Sequence, residues 1–366
     1  MLPGSYRRLL AQPDVREAFA VSLLARLPIG MGGLALLLLV QLNEDSYASA
    51  GFVTSAYIAG LAGAAPVLGR LIDRLGPDAI LAACAGASFP PVTVCQRALL
   101  RQRFEHDALL VVALSLDSVL IELVFILGPL LVALLVAWAS PSAAVLAAAA
   151  FGLVGSLLFL RTRALSRWDR VAHPAGSVLG PLAEKGFPAL LGIGAAYAVV
   201  FGLVEITAFA AEAGRPALAG VLLGVMSLGS AAGGLAYGSR HWHMPLATQC
   251  AIWLALLAAT LAPLAALTRP WAFAAACAVA GLAMAPPLII QSTLVAKMVS
   301  ARYATEGFTW SMTALLCGVG AGLAAGGLLL ETGSVARLFG VAAVIALATA
   351  ALALKALRQQ GERKQR

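Results

Sequence analysis

The apolar positions of this chain neither alternate nor keep to one stripe; they run on. Ala18–Val40, Ala108–Ala137 and Val341–Leu354 hold at most a few charged residues each, and about 20 consecutive apolar residues cross a bilayer as a helix. Polar clusters and turn residues cut the front of the chain into predicted spans at about Glu17–Val40, Tyr47–Arg70, Ala113–Trp138 and Ala143–Leu160. Behind them lie Phe187–Ala211, Ala217–Tyr237, Leu246–Leu267, Trp271–Lys297, Thr305–Leu330 and Val335–Leu357. A weaker apolar segment, Ala79–Gln96, sits between the polar loop Asp73–Asp78 and the charged stretch Arg97–Asp107. Arg161–Lys185 has no sustained apolar run and reads as a cytoplasmic linker, and the tail Lys355–Arg366 is basic. The pattern therefore divides the chain into a helical half over 1–160, a linker over 161–185 and a second, six-helix half over 186–366.

Composition sharpens this reading. Hydrophobic residues make up 61% of the 366 and charged residues 11%, against about 25% charged in a soluble domain. That excludes an ordinary soluble enzyme and a disordered chain. The formal net charge of +8 comes from Arg and Lys in short loops and tails, with no basic stripe for nucleic acid. These loops orient the chain, because cytoplasmic loops carry the basic excess. Arg7, Arg8 and Arg16 put the amino terminus inside, and Asn43, Glu44 and Asp45 put the next loop outside. Arg70 and Arg74 return inside, as do the loops near Arg240 and Arg302. The apolar run after Arg16 is too long for a signal-peptide core and lacks an A-x-A site, so it is expected to remain a helix. The five cysteines, Cys84, Cys95, Cys250, Cys277 and Cys317, lie in apolar runs without a CxxC spacing, as packed small hydrophobes do.

An internal repeat is visible. Ala85–Gln96 (AGASFPPVTVCQ) echoes Ala280–Gln291 (AGLAMAPPLIIQ). Paired Pro-interrupted segments at corresponding places in two halves point towards a binding site in secondary transporters. The front half is nonetheless shorter by about one helix of roughly 20 residues, and the shortfall falls between Asp73 and Arg97. Arginines that read as cytoplasmic flank Ala79–Gln96 on both sides. The segment is then a re-entrant hairpin broken at Pro90-Pro91 and buried in protein, a true span with its arginines outside, or the scar of an internal deletion.

Leaving the second span, the chain reads Gly69-Arg70-Leu71-Ile72-Asp73-Arg74-Leu75-Gly76. This resembles the loop signature of the major facilitator superfamily, G-x-L-x-D-R-x-G, at Gly69, Leu71, Asp73, Arg74 and Gly76; the basic pair that often follows is replaced by Pro77 and Asp78. The resemblance implies an all-α integral membrane bundle of two halves, with about 11 transmembrane segments instead of 12, and a loop that latches one conformation of an alternating-access cycle. Gly234–Arg240 resembles a degenerate second copy without the Asp. Gly128-Pro129 matches the Gly-Pro pair of the family's antiporters, although Leu130–Val132 depart from the small residues of that pattern.

Charges within membrane helices are candidates for function. Arg26 lies about 15 Å into the first span at 1.5 Å per residue, next to Pro28 and Gly30. Glu122 is its expected partner and the candidate proton carrier; the alternative is an ion pair that only fixes packing. Asp117 lies nearer the cytoplasmic end of the same span, where capping or interfacial solvation competes with a coupling role. Tyr197, Phe201 and Glu205 recur at four-residue spacing and share a helix face, suited to an amphipathic or cationic substrate or to helix packing. Gln291 is a polar cavity contact or a helix–helix hydrogen bond. Trp310 is a further cavity candidate, and Glu306 reads as a first-turn acid favoured by the helix dipole. His241 and His243 lack the ligands of a metal site, and no phosphate loop or catalytic triad is found, so neither a cofactor nor enzyme activity is expected.

The expected function is secondary active transport of a small molecule, by proton-coupled efflux. An uptake permease of the same fold and a degenerate non-transporting membrane protein are the alternatives. The expected setting is a plasma membrane of the bacterial inner-membrane kind, with the lipid bilayer, a small-molecule substrate and protons as partners, no nucleic acid, and a monomeric chain.

Overall fold

In the computed structural model the described residues are 4–44, 60, 63–76, 80–81, 91–104, 109–166, 180–204, 209, 218–332 and 334–365. Among them there are helices and no strands. In chain order these are α1 (Gly4–Leu10), α2 (Pro13–Glu44), α3 (63–75), α4 (Val92–Arg103), α5 (Leu109–Trp138), α6 (Pro141–Leu160) and α7 (Arg163–Ser166). Then come α8 (Phe187–Leu203), α9 (Leu218–Gly238), α10 (Leu246–Leu261), α11 (Pro270–Leu282), α12 (Ala285–Met298), α13 (Ala304–Thr332) and α14 (Val335–Gln365). Eight stretches are long and apolar enough to cross a membrane, and α8 is a shorter apolar helix. The chain is a multi-pass membrane protein.

Two compact units divide the residues. The first comprises Met1–Ala113, Leu120–Val178 and Ser300–Trp310; the second comprises Leu114–Val119, Leu179–Val299 and Ser311–Arg366.

In the first unit α2 packs most extensively against α6. The two run antiparallel: Ala18 clusters with Phe159 near one end, and Ala35 clusters with Ala144 near the other. Small residues let helices approach within the bilayer, where no hydrophobic effect drives them together. At the crossing of α2 and α5, a Cβ on Gly128 would stand 2.7 Å from the Cα of Gly30, so neither position admits a side chain.

Of the segment after Gly76, residues 80–81 and 91–104 are described. Helix α4 continues through the arginines of the charged stretch. Arg103 reaches back to the start of α2, 3.1 Å from Gln12 and 3.6 Å from Asp14. Ile80 and Leu81 share a cluster with Ile72, Leu99 and Leu165. Ile72, Ile80 and Leu99 thus lie together; residues 82–90, on which the three alternatives for Ala79–Gln96 turn, lie outside the described residues. At 1.5 Å per residue α4 is about 18 Å long, roughly half a span.

The second unit pairs α10 with α14, α9 with α11 and α8 with α14. Gly229 and Gly281 face each other where α9 crosses α11, and a Cβ on Gly281 would lie 3.1 Å from the Cα of Gly229. The predicted span Trp271–Lys297 is broken into α11 and α12 at Ala283-Met284, just before Pro286-Pro287. Proline donates no hydrogen bond and clashes with the preceding turn, so the helix restarts there. Helix α14 runs to Gln365, past the predicted end at Leu357. Hydropathy marks where a helix leaves lipid, whereas Ala, Lys, Arg and Gln sustain it beyond.

Candidate functional site

The best-defined polar constellation joins the end of α3 to the first turn of α13, inside the first unit. Asp73 accepts hydrogen bonds from the backbone N–H of Thr305 at 3.0 Å and of Glu306 at 2.7 Å. Its carboxylate therefore caps the amino end of α13, where donors lack helical partners and the dipole favours negative charge. Arg70 donates to Glu306 Oε1 from Nη2 at 2.6 Å and from Nε at 3.1 Å. The pair is unevenly hidden, with Arg70 33% exposed and Glu306 2%. Between these contacts the helices touch at Gly69, where an added Cβ would lie 2.6 Å from Cγ2 and 2.9 Å from Cβ of Thr309. The chain then turns at Gly76, whose φ of 89° suits glycine. Arg101 Nη1 donates to the carbonyl of Ser300 at 3.3 Å, adding a contact just ahead of α13.

Burial pushes the Asp73 carboxyl up to about 7, against the opposing pull of its hydrogen bonds to Thr305 and Glu306. The clasp is thus held by a carboxyl that titrates near neutrality.

Of the motif residues, Gly69, Asp73 and Gly76 act in this clasp, and Leu71 packs on the cluster below it. Arg74 is exposed, and the arginine of the clasp is Arg70. Sequence reasoning passed over Arg70 because it fills an unspecified place in the signature. It gave Glu306 a dipole role only; a first-turn acid with a basic motif residue was the available signal.

The remaining candidates are dispersed. Arg26 is fully buried, and Glu122 is half-buried in the first unit. Each precedes the Gly30–Gly128 crossing on its own helix, Arg26 by four residues and Glu122 by six. Because Ala35 and Val132 meet beyond the crossing, α2 and α5 run parallel and the two residues lie at similar depth. Asp117 is buried and belongs to the second unit. Trp310 is half-buried, and its buried Nε1 makes no hydrogen bond.

In the second unit Tyr197 is buried and its hydroxyl donates to the carbonyl of Met284 at 2.9 Å, at the break between α11 and α12. Phe201, one turn on, is exposed, so this face of α8 spans two environments. Glu205 lies outside the described residues. Gln291 Nε2 donates to Ser311 Oγ at 3.0 Å, a helix–helix bond. It lies against Gly194, where a Cβ would come within 2.7 Å of its Cδ. Around the degenerate loop copy, Trp242 Nε1 donates to the Tyr237 carbonyl at 3.0 Å and the Tyr237 hydroxyl donates to Gln249 at 2.6 Å. Aromatic packing replaces the acidic clasp there.

Neither a protein-family model nor a curated protein matches this chain. Solved structures do. The human organic anion transporter MFSD10 aligns at a TM-score of 0.67 and 17% identity, over 93% of this chain and 99% of that one. A bacterial homologue of the iron transporter ferroportin, in an outward-facing state, aligns at 0.69 and 13%, over 95% and 99%. The E. coli fucose:proton symporter aligns at 0.66 and 14%, over 94% and 98%. Likeness at this identity speaks for architecture, and with the Gly69–Gly76 loop in its expected place, the chain has the two-half helical fold of major facilitator superfamily transporters.

Proposed function

We propose that this chain is a secondary active transporter that exports a small amphipathic molecule across the plasma membrane by alternating access, in exchange for protons. It works as a monomer, with its amino terminus in the cytoplasm. The observation that carries this reading is the clasp of Asp73 and Arg70 on the head of α13. Alternating access needs contacts that hold in one state and release in another. Hydrogen bonds at a helix end suit this, because water replaces each one on release and a bond to a charged group is worth only about 1.5–3 kcal/mol net. A sealed apolar contact of the same area would be far harder to reopen.

Glu122 is assigned the proton and Arg26 the counter-charge, at similar depth in the first unit. Intramembrane ionisable groups of this kind mark ion pathways. Asp117, Gln291, Tyr197, Phe201 and Glu205, and separately Trp310 in the first unit, are further candidates for contact with the solute. The test uses purified protein in liposomes with a trapped pH dye. Ethidium, lactose and benzoate are added in turn under an imposed pH gradient. At least one is expected to evoke proton flux in the wild type, and Glu122→Gln is expected to abolish it. Flux that survives Glu122→Gln with its pH dependence intact removes the proton role.

A further inference from the structure

Helix α4 begins abruptly inside the protein. Its first helical bond runs from the Cys95 N–H to the Pro91 carbonyl at 3.1 Å. The amides of Val92, Thr93 and Val94 precede that bond, and no side chain caps them. All three residues are buried, at 1%, 6% and 6% exposure. Two polar side chains accompany them. Thr93 Oγ1, and both Oε1 and Nε2 of Gln96, are buried and find no hydrogen-bond partner among the described residues. Thr93 and Gln96 stand three residues apart, one above the other on a face of the helix, and helical side chains lean towards the amino end. Both therefore tilt towards the uncapped amides.

Leaving such groups unsatisfied costs roughly 1–3 kcal/mol each. Valine and methionine would fill the same space without that penalty. The repeat supplies a control. Gln291 occupies the position of Gln96 in the echoing segment and is satisfied by Ser311. A glutamine after the Pro-Pro pair can thus find a partner on a neighbouring helix, and among the described residues Gln96 has none.

The setting is electropositive. No acidic residue lies on α4, and the amino end of a helix carries the positive pole of its dipole. Val92 shares an apolar cluster with Ala25 of α2. Val92, Val94 and Leu99 of the same helix are apolar and buried.

We propose that the head of α4, formed by the amides of Val92–Val94 with Thr93 Oγ1 and the Gln96 amide, binds the carboxylate of the transported solute. The inference rests on the transport reading for what is carried, not for the binding itself. The amides and the Gln96 Nε2 donate to the two carboxylate oxygens, the Thr93 hydroxyl donates a further bond, and the valines receive the apolar body. Helix amino ends are suited to anions in this way.

The test measures equilibrium binding of radiolabelled benzoate and acetate to the full chain purified in detergent, with benzamide as the neutral competitor. The wild type is expected to bind benzoate saturably, with acetate competing and benzamide not. Thr93→Val and Gln96→Met should each weaken benzoate about tenfold, the value of one hydrogen bond to a charged group. Gln96→Glu should abolish binding by placing a like charge at the site. Thermal unfolding separates this from a structural role. Thr93→Val and Gln96→Met should leave the melting temperature unchanged or raised, since each removes an unsatisfied group, whereas a structural role would lower it. No saturable benzoate or acetate binding by the wild type, or unchanged affinity in both variants, overturns the proposal. If benzoate fails to bind while ethidium or lactose still evokes proton flux, this site falls and the transporter stands. If benzoate binds as expected and no solute moves protons, the transport reading falls and the site stands.

Discussion

Replacing Gly69 with alanine tests whether α3 and α13 are held in register by the clasp. The new Cβ would stand 2.6 Å from Cγ2 and 2.9 Å from Cβ of Thr309. Carbon atoms rest at about 3.5–4.0 Å, so the helices must part by roughly 1 Å. The bonds from Thr305 and Glu306 to Asp73, at 3.0 and 2.7 Å, would then stretch to or past the limit of a hydrogen bond. The protein can accept the overpacking, at about 1–3 kcal/mol, or surrender the two bonds, at about 1.5–3 kcal/mol each. The cheaper course governs, so the clasp equilibrium should shift by about 1–3 kcal/mol, roughly 5- to 150-fold. Hydrogen exchange of the peptide covering residues 301–309 reads this directly, because the Thr305 and Glu306 amides are the clasp donors. Their exchange should accelerate by that factor in Gly69→Ala. Thr309→Gly removes the whole clashing side chain and should restore protection in the double variant. Thr309→Ala leaves the atom at 2.9 Å and should restore only part of it. If Gly69→Ala leaves exchange unchanged, or speeds it equally whichever residue stands at 309, the helices do not meet there as described.

Four further outcomes follow from the same geometry. Arg70→Ala should destabilise the clasp more than Glu306→Gln, by about 3 against about 1 kcal/mol, because the first strands a buried carboxylate and the second frees a partly exposed arginine; the same exchange assay checks the order. Asp73 has its pKa raised to about 7 in the clasp, so clasp stability is fully present below the ordinary carboxylate value and is lost as pH rises through about 7. Amide protection, corrected for intrinsic exchange, should fall across that window in the wild type and stay flat in Asp73→Asn. Gly194→Ala should lower the melting temperature by displacing Gln291 from Ser311, and Gln291→Ala in the same chain should recover part of the loss. Gly128→Leu should prevent assembly of the first unit, seen as loss of a monodisperse peak in size-exclusion chromatography, because the Cα of Gly30 occupies the space its side chain requires.

Long apolar runs made the helices legible. The bilayer imposes one length and one composition on every span, and Pro141–Leu160 and Leu246–Ala266 follow the hydropathy closely. The motif Gly69–Gly76 located the site because its glycines and acid have fixed roles at a tight helix crossing. Its partners were hidden by distance along the chain: Arg70 and Glu306 are 236 residues apart, and no periodicity connects them. Arg74 was favoured over Arg70 because a signature fixes residue types, whereas which arginine faces the neighbouring helix depends on helical phase. Arg97–Asp107 reads in the sequence only as a charged stretch, because charge density hides a helix. Yet Arg101 and Arg103 extend from a helix to Ser300 and Asp14, where long side chains keep their heads polar while their stems are covered.

The two Pro-Pro segments show why a repeat legible in sequence need not be symmetric in chemistry. In the second unit the Met284 carbonyl, at the break before Pro286, accepts from the Tyr197 hydroxyl; Gln291, four residues past Pro287, meets Ser311. Every polar group that these contacts involve is bonded, so this break is a packed joint. In the first unit α4 starts at Val92, and the side chains of Thr93 and Gln96 are buried without partners among the described residues. Buried polar groups are bonded in the great majority of cases, and a sequence that departs from such local rules tends to do so where function requires it. Relaxation to an apolar residue at 93 or 96 would stabilise the fold without disturbing the backbone. The retained threonine and glutamine therefore argue that polarity in the first unit serves a bound group, while the equivalent polarity in the second unit serves the protein's own helices.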